Sequence, residues 1–249
     1  MDKKIKRAVI KLSGEAIGDS QSATGYNDTV IDSIVKQIIN AMHSGTQVSL
    51  VIGGGNLWRG NQAPKKMDRV KADYIGMLAT VMNAIYLAEA FNRQGAKALV
   101  MTPMPIANMT KVFEKDLALD LMADKTVIIN AAGTGHPYFS TDTITALRAA
   151  ELKADIVLYA KNIDGVYDSD PNKNTSARKY KFLSYGTAIR NGLNAADIAA
   201  MHISMEAETP SYVFGLSKAD SITQACAYPD TGNLNGTYIN VDIKEDYYV

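Results

Sequence analysis

Cysteine is nearly absent from this 249-residue chain, where Cys226 stands alone. One thiol excludes an internal disulfide framework and a cysteine-rich zinc site, and it fits a reducing compartment such as the cytoplasm. The residue itself reads as a small buried apolar side chain. Net charge is missing too, since 26 Lys and Arg balance 26 Asp and Glu. No global field draws such a chain onto nucleic acid or an anionic membrane, so any anion must be held by local groups. Long apolar runs are also lacking: the run after basic residues 1–7 breaks at Lys11, and no later stretch reaches the length of a membrane span. His43, His136 and His202 are scattered without a second ligand at helical spacing, which argues against a zinc-type centre. Only His136, inside a Gly-Pro loop, keeps functional interest. Internal repeats, low-complexity tracts and linkers are absent as well.

What is present is an alternation. Apolar runs that end in Gly or Pro occur at Ala8–Leu12, Val48–Ile52 and Ala98–Met101, then at Thr126–Ile129 and Asp155–Tyr159. Between them lie stretches of helical period: Val30, Ile31, Ile34, Val35, Ile38, Ile39 and Met42, closed by Gly45 as a C-cap; then Ile75, Leu78, Val81, Met82, Ile85 and Tyr86; then Ile144, Leu147 and Leu152. Thr187–Met205 is Ala-rich and helix-compatible, and Tyr212–Phe214 and Tyr238–Val241 read as late strands. Gly18–Asn27 reads as a mobile polar loop and Asp168–Lys181 as a loop rich in turn formers. Strands alternating with helices predict an α/β fold, a three-layer αβα sandwich around an open, mostly parallel sheet. Ligands of such sheets sit beyond the carboxyl ends of the strands, where the glycines are.

Two nucleotide signatures nearly match there and fail. Gly55-Asn-Leu-Trp-Arg-Gly60 has P-loop glycine spacing, but Asn61-Gln62 stands where Lys and Ser or Thr are needed. Gly53–Gly55 and Gly133–Gly135 each begin a dinucleotide fingerprint, and Leu57-Trp58 and Pro137-Tyr138 take the place of its third glycine. What remains is spread over several strand ends: Lys11 before Leu-Ser-Gly-Glu, the triple glycine, Gly133-Thr-Gly-His-Pro-Tyr-Phe-Ser-Thr-Asp142, and Asp164-Gly-Val-Tyr-Asp-Ser-Asp170.

In this order these segments resemble the amino acid kinase superfamily, in its bacterial UMP kinase branch. The resemblance runs from about Lys6 to about Ile222. Its most specific stretches are Ile10–Ala16, Val51–Gly60, Met67–Val70, Gly76–Asn83 and Gly133–Asp142. It implies one amino acid kinase domain over 1–249, with UMP binding and oligomer contacts roughly in 1–150 and ATP binding roughly in 151–249. The implied activity is transfer of a phosphoryl group from ATP to UMP with magnesium, in the cytoplasm. The implied partners are a second copy of the chain, within a hexamer, and UTP as feedback inhibitor. The acceptor phosphate, with a second pKa of about 6, is already dianionic and needs no general base, so the task is positioning and charge neutralisation.

By the same resemblance Lys11, Asp142 and Lys161 are catalytic. Lys11, Leu12, Ser13, Gly14, Gly55, Arg59, Asn162, Tyr167 and Asp170 meet ATP, with either Lys161 or Asn162 standing for the family's second lysine. Gly54, Asp73, Thr134, Gly135, His136, Pro137, Tyr138, Phe139, Ser140 and Thr141 meet UMP. Phe139 or Tyr138 either stacks on uracil or packs into the core, and Asp142 either caps its helix or orients lysines and magnesium. One glycine loop then lies between donor and acceptor. The chain departs from the family at Tyr159-Ala-Lys-Asn-Ile-Asp-Gly165, at Gly18–Gly25, which replaces a stretch linked to GTP activation, at Leu216–Asp220 and in its long tail to Val249.

Overall fold

Apolar runs without polar alternation need cover on both faces of a sheet, and the chain supplies it. The computed structural model describes residues 4–59, 63–227 and 235–249; Gly60, Asn61 and Gln62 of the glycine-rich segment lie outside them. The strands are β1 (Arg7–Leu12), β2 (Gln47–Ile52), β3 (Ala98–Thr102), β4 (Lys111–Val112), β5 (Val127–Asn130), β6 (Ile156–Lys161), β7 (Tyr180–Ser184), β8 (Ser211–Gly215), β9 (Thr237–Asn240) and β10 (Tyr247–Tyr248). They form one sheet in the order β10-β7-β9-β8-β6-β1-β2-β5-β3-β4. From β8 to β4 every pairing is parallel. β9 runs antiparallel to β8, and β10 antiparallel to β7.

The helices are α1 (Gly14–Ile17), α2 (Asp28–His43), α3 (Arg69–Arg93), α4 (Lys115–Ala123), α5 (Thr141–Glu151), α6 (Tyr185–Arg190), α7 (Ile198–Glu206) and α8 (Ser221–Ala227). Alternate strand residues divide the core into two layers. Ile10, Leu50, Ile129 and Leu158 pack with Ile38 of α2, Leu87 of α3 and Ala225 of α8. Val9, Val51, Ile128 and Val157 pack with Met122 of α4, Ile144 of α5, Tyr185 of α6 and Met201 of α7. This is the expected αβα sandwich, and each fully buried Leu or Ile contributes about 1.5–3 kcal/mol to it.

Local chemistry sets the helix ends. Asn27 caps α2 through Val30 N, and Gly45 follows its end at φ +98°, the left-handed conformation that glycine supplies cheaply. The Thr187–Met205 stretch is two helices, because Asn191-Gly192, with Gly192 at φ +59°, ends one and Asp197 caps the next. The Gly18–Asn27 loop is pinned by turns: Asp19 N donates to Gly25 O at 3.0 Å, and the ring of Tyr26 is buried. Cys226 is buried, and burial pushes its thiol up to about 12. The expectation about membrane-length segments needs correction. By length and composition Arg69–Arg93 could cross a membrane. Here it is a core helix on one side, with Val81, Ala84, Leu87 and Phe91 buried.

Candidate active site

The chain leaves β1 on one side to form β2 and returns on the other as β6, so β1 lies where the winding reverses. In open α/β sheets the ligand crevice opens at such a point, and two cavities open there. The first, about 430 Å³, is lined by Gly53, Gly54, Gly55, Arg59, Asp73 and Thr141 among others. The second, about 710 Å³, is lined by Lys161, Asn162, Tyr167, Asp170 and Asn194 among others. Lys11, Ser13 and Glu15 belong to both linings. Both volumes are in the range of small-molecule sites.

Lys11 sits at the end of β1, and its ammonium lies 3.0 Å from the Asp142 carboxylate, both side chains being mostly buried. Asp142 stands in the first turn of α5, where Ser140 accepts hydrogen bonds from Asp142 N and Thr143 N. Asp142 therefore does not cap the helix: Ser140 does. Asp197 ties this turn to α7, accepting from Ser140 Oγ and from Thr143 Oγ1 at 2.8 Å with one oxygen and from Ala200 N at 2.7 Å with the other.

Lys161, at the end of β6, donates to the carbonyls of Ala195 at 2.6 Å and Asn194 at 3.3 Å. Burial lowers its pKa; the nearby Asp142 opposes that shift and Lys11 adds to it. Asn162 is exposed beside it on the second cavity. Tyr167 donates to Asp164 at 2.8 Å; burial and that carboxylate push its hydroxyl up to about 12. Burial raises the Asp164 pKa, but hydrogen bonds from Lys179 and Tyr167 with the Lys179 charge outweigh it, and the net shift is downward.

The glycines answer to the protein itself. A Cβ on Gly54 would lie 2.9 Å from Ala79 Cβ and from Gly76 O on α3, and one on Gly14 would lie 2.5 Å from Gly53 O. The close approach is thus between loops and a helix, whatever ligand also comes near. Asn83 of α3 holds this loop, donating to Gly53 O at 2.7 Å and Asn56 Oδ1 at 2.8 Å and accepting from Tyr26. Thr80, a turn earlier, accepts from Ala132 N at 2.7 Å. One helix therefore fixes both loops of the first cavity. The second of those loops is tightly wound, with Ala132, Gly133, Gly135 and Tyr138 all at positive φ, backbone states that cluster at functional sites.

Of the residues assigned to UMP, Gly54, Asp73, Phe139, Ser140 and Thr141 line the first cavity. Thr134, Gly135, His136, Pro137 and Tyr138 form the neighbouring loop without lining it, and His136 is exposed. Tyr138 and Phe139 are 70% and 54% exposed, which removes the core-packing alternative for both. Asp73 accepts from Arg69 and, at 2.9 Å, from Tyr138 N. Of those assigned to ATP, Gly14, Gly55 and Arg59 lie on the first cavity rather than the second, and Arg59 pairs with Glu15. Leu12 is buried beneath. Asn83, Thr80, Asp197 and Glu15 had no assigned role from sequence.

These features define a doubly wound α/β protein in which two polar clefts share one strand-end lysine. The model of the Amino acid kinase family matches residues 6–215, and the chain belongs to that family. Similar solved structures include UMP kinase from Bacillus anthracis, 32% identical with a TM-score of 0.91, covering 99% of this chain and 100% of that one. UMP kinase from Ureaplasma parvum is 32% identical with a TM-score of 0.86 over 96% and 100%. Uridylate kinase from Archaeoglobus fulgidus is 28% identical with a TM-score of 0.67 over 93% and 99%. The chain is an enzyme of the kinase class.

Proposed function

We propose that this chain transfers the γ-phosphoryl group of ATP to UMP, giving UDP and ADP, in pyrimidine nucleotide biosynthesis in the cytoplasm. The observation that carries this reading is the shared lining of the two cavities. A group bound in each would present its phosphates to the same Lys11, as in-line transfer between two nucleotides requires. The larger cavity, on the 151–249 side, suits ATP, and the smaller suits the monophosphate. The donor's phosphate tail would reach Gly14, Gly55 and Arg59 across the junction.

The chemistry asks for little beyond position and charge, because the transferring group spreads negative charge over its equatorial oxygens. Lys11 and Lys161 supply positive charge from two adjacent strand ends, and Arg59 adds a planar donor suited to phosphate. Thr141 and Ser140 place the start of α5, with the positive end of its dipole, on the acceptor cavity. Phe139, exposed on that cavity, offers a face for the uracil ring, and Asp73 a carboxylate for its ribose. Tyr167 and Asp170 border the adenosine side. No group of three metal-binding side chains occurs among the described residues. That donor set fits magnesium carried on the triphosphate, which needs only one or two protein carboxylates, and Asp142 and Glu15 are those in place. When bound, magnesium would neutralise phosphate charge. UTP, a uridine nucleotide with a longer phosphate tail, would compete for the acceptor cavity.

A coupled assay of ADP release with ATP and UMP, CMP, dCMP, acetylglutamate or carbamate tests the reading. Turnover is expected with UMP; phosphorylation of a carboxylate or carbamate and none of UMP would overturn it. Lys11→Ala separates an enzyme from a storage protein. UDP formation should fall by about 10²–10³, with nucleotide affinity changed only a few-fold by calorimetry. Wild-type binding without turnover would leave a non-catalytic nucleotide-binding protein.

A further inference from the structure

One hydroxyl beside the proposed site is unspent. Tyr159 lies on β6 directly across from Lys11 in the parallel register, on the α5 face of the sheet. Its side chain is 1% exposed, and its hydroxyl has no hydrogen-bond partner among the described residues. Burying a phenol without a partner is unfavourable, so the orphan needs a reason. Phenylalanine would fill the same volume without the penalty.

The surroundings narrow what the hydroxyl can serve. Burial first, then the charges of Asp142, Tyr185 and Asp197, hold its proton on, so it can donate to an anionic oxygen. Tyr185 is already committed to Thr209 O and Ser211 Oγ. Both Asp197 oxygens are engaged by Ser140, Thr143 and Ala200. The Asp142 carboxylate has Lys11 alone among the described side chains, and Lys11 is the cation that both cavities share. Phosphates entering either cavity compete with the Asp142 carboxylate for Lys11, its ion-pair partner among the described residues.

We propose that Tyr159 is a positioning residue for phosphoryl transfer: its hydroxyl takes the Asp142 carboxylate when Lys11 turns from it to the donor phosphates. The partner that this hydroxyl lacks within the chain is then the carboxylate that Lys11 releases. This rests on the phosphoryl-transfer reading above.

Tyr159→Phe tests it by stability and by kinetics. Without ligands the variant should melt higher than wild type, since a stranded donor is gone. The rise in melting temperature produced by UMP plus a non-hydrolysable ATP analogue should be smaller than in wild type. In turnover, kcat/KM for ATP should fall about tenfold, the loss of one charge-assisted hydrogen bond, with KM for UMP unchanged. Tyr159→Met, which fills the cavity without a hydroxyl, should give the same kinetic result. A Phe variant with wild-type kcat/KM and an undiminished ligand shift would reduce Tyr159 to a stranded core residue and sink the inference. So would a variant that melts lower with both nucleotides equally affected, the mark of a packing role. Wild-type protein that makes no UDP would instead overturn the parent reading.

Discussion

Lys161 carries its charge into a place that disfavours it. Burial lowers its pKa from the ordinary value of 10.5, and Lys11 adds to the effect against the pull of Asp142. Below the lowered value both folded and unfolded chains hold the proton, and the penalty on folding is full. Between that value and 10.5 the folded lysine is neutral while the unfolded one still binds a proton, so stability from this residue rises with pH. Comparing wild type with Lys161→Met by thermal unfolding, the difference should move in favour of wild type as pH climbs from 7 toward 10.5. A difference that stays flat would mean the ammonium is well solvated. Lys11, Ser13 and Gly53–Gly55 stood out in the sequence at or just past the ends of apolar runs, and their assignment to nucleotides came from the family resemblance. The roles of Asn83, which closes one of the family-like stretches, and of Asp197 were not legible, since their work is to bind main-chain or side-chain atoms that only the folded chain brings near. Asp197 was further hidden inside an Ala-rich stretch of helical composition.

The glycine loop and α3 behave as one element. Gly54 is not at positive φ; its lack of a side chain lets the loop lie on the helix, with Ala79 Cβ and Gly76 O where a Cβ would need room. Helix backbone yields little, so Gly54→Ala should destabilise by about 1–3 kcal/mol in urea unfolding, as overpacking does. It should also reduce activity more than that loss explains, because Asn83 ties the same loop to the same helix. An alanine variant with unchanged midpoint would show that the loop has slack. Elements of this kind divide by how their signal arises. β1, β2, β5, β6 and β8 announce themselves as apolar runs because the sheet is covered on both faces. β4 and β10 are two-residue edge pieces, and β7 (Tyr-Lys-Phe-Leu-Ser) lies at the end of a turn-rich loop, so none carries a run long enough to register. The tail to Val249 proves to finish the sheet: Tyr248 donates to the Tyr180 hydroxyl at 2.6 Å, and Val249 N to Lys179 O at 2.8 Å.

At the scale of the molecule the unsettled surface is the outer side of α3. The apolar stripe read from sequence had two destinations, its own sheet or another copy of the chain, and periodicity alone cannot choose between them. The fold divides it: Val81 is buried, while Ile75, Leu78, Met82 and Ile85 are exposed, Leu78 and Met82 at 56% each. These four recur at intervals of three or four residues, so they share one side of the helix and make a continuous apolar strip. Surfaces of that kind are uncommon on monomers, and a helix face packed on its own copy about a two-fold axis is self-complementary. We therefore expect a second copy of the chain to pack on this face about a two-fold axis. Leu78→Glu with Met82→Glu puts like charges at i and i+4 on both sides of that contact. The double variant should sediment as a smaller species than wild type at equal concentration. Its circular dichroism should be unchanged, because neither side chain belongs to the core. A wild-type chain that sediments as a monomer, or a variant that sediments with wild type, would leave the strip without this partner.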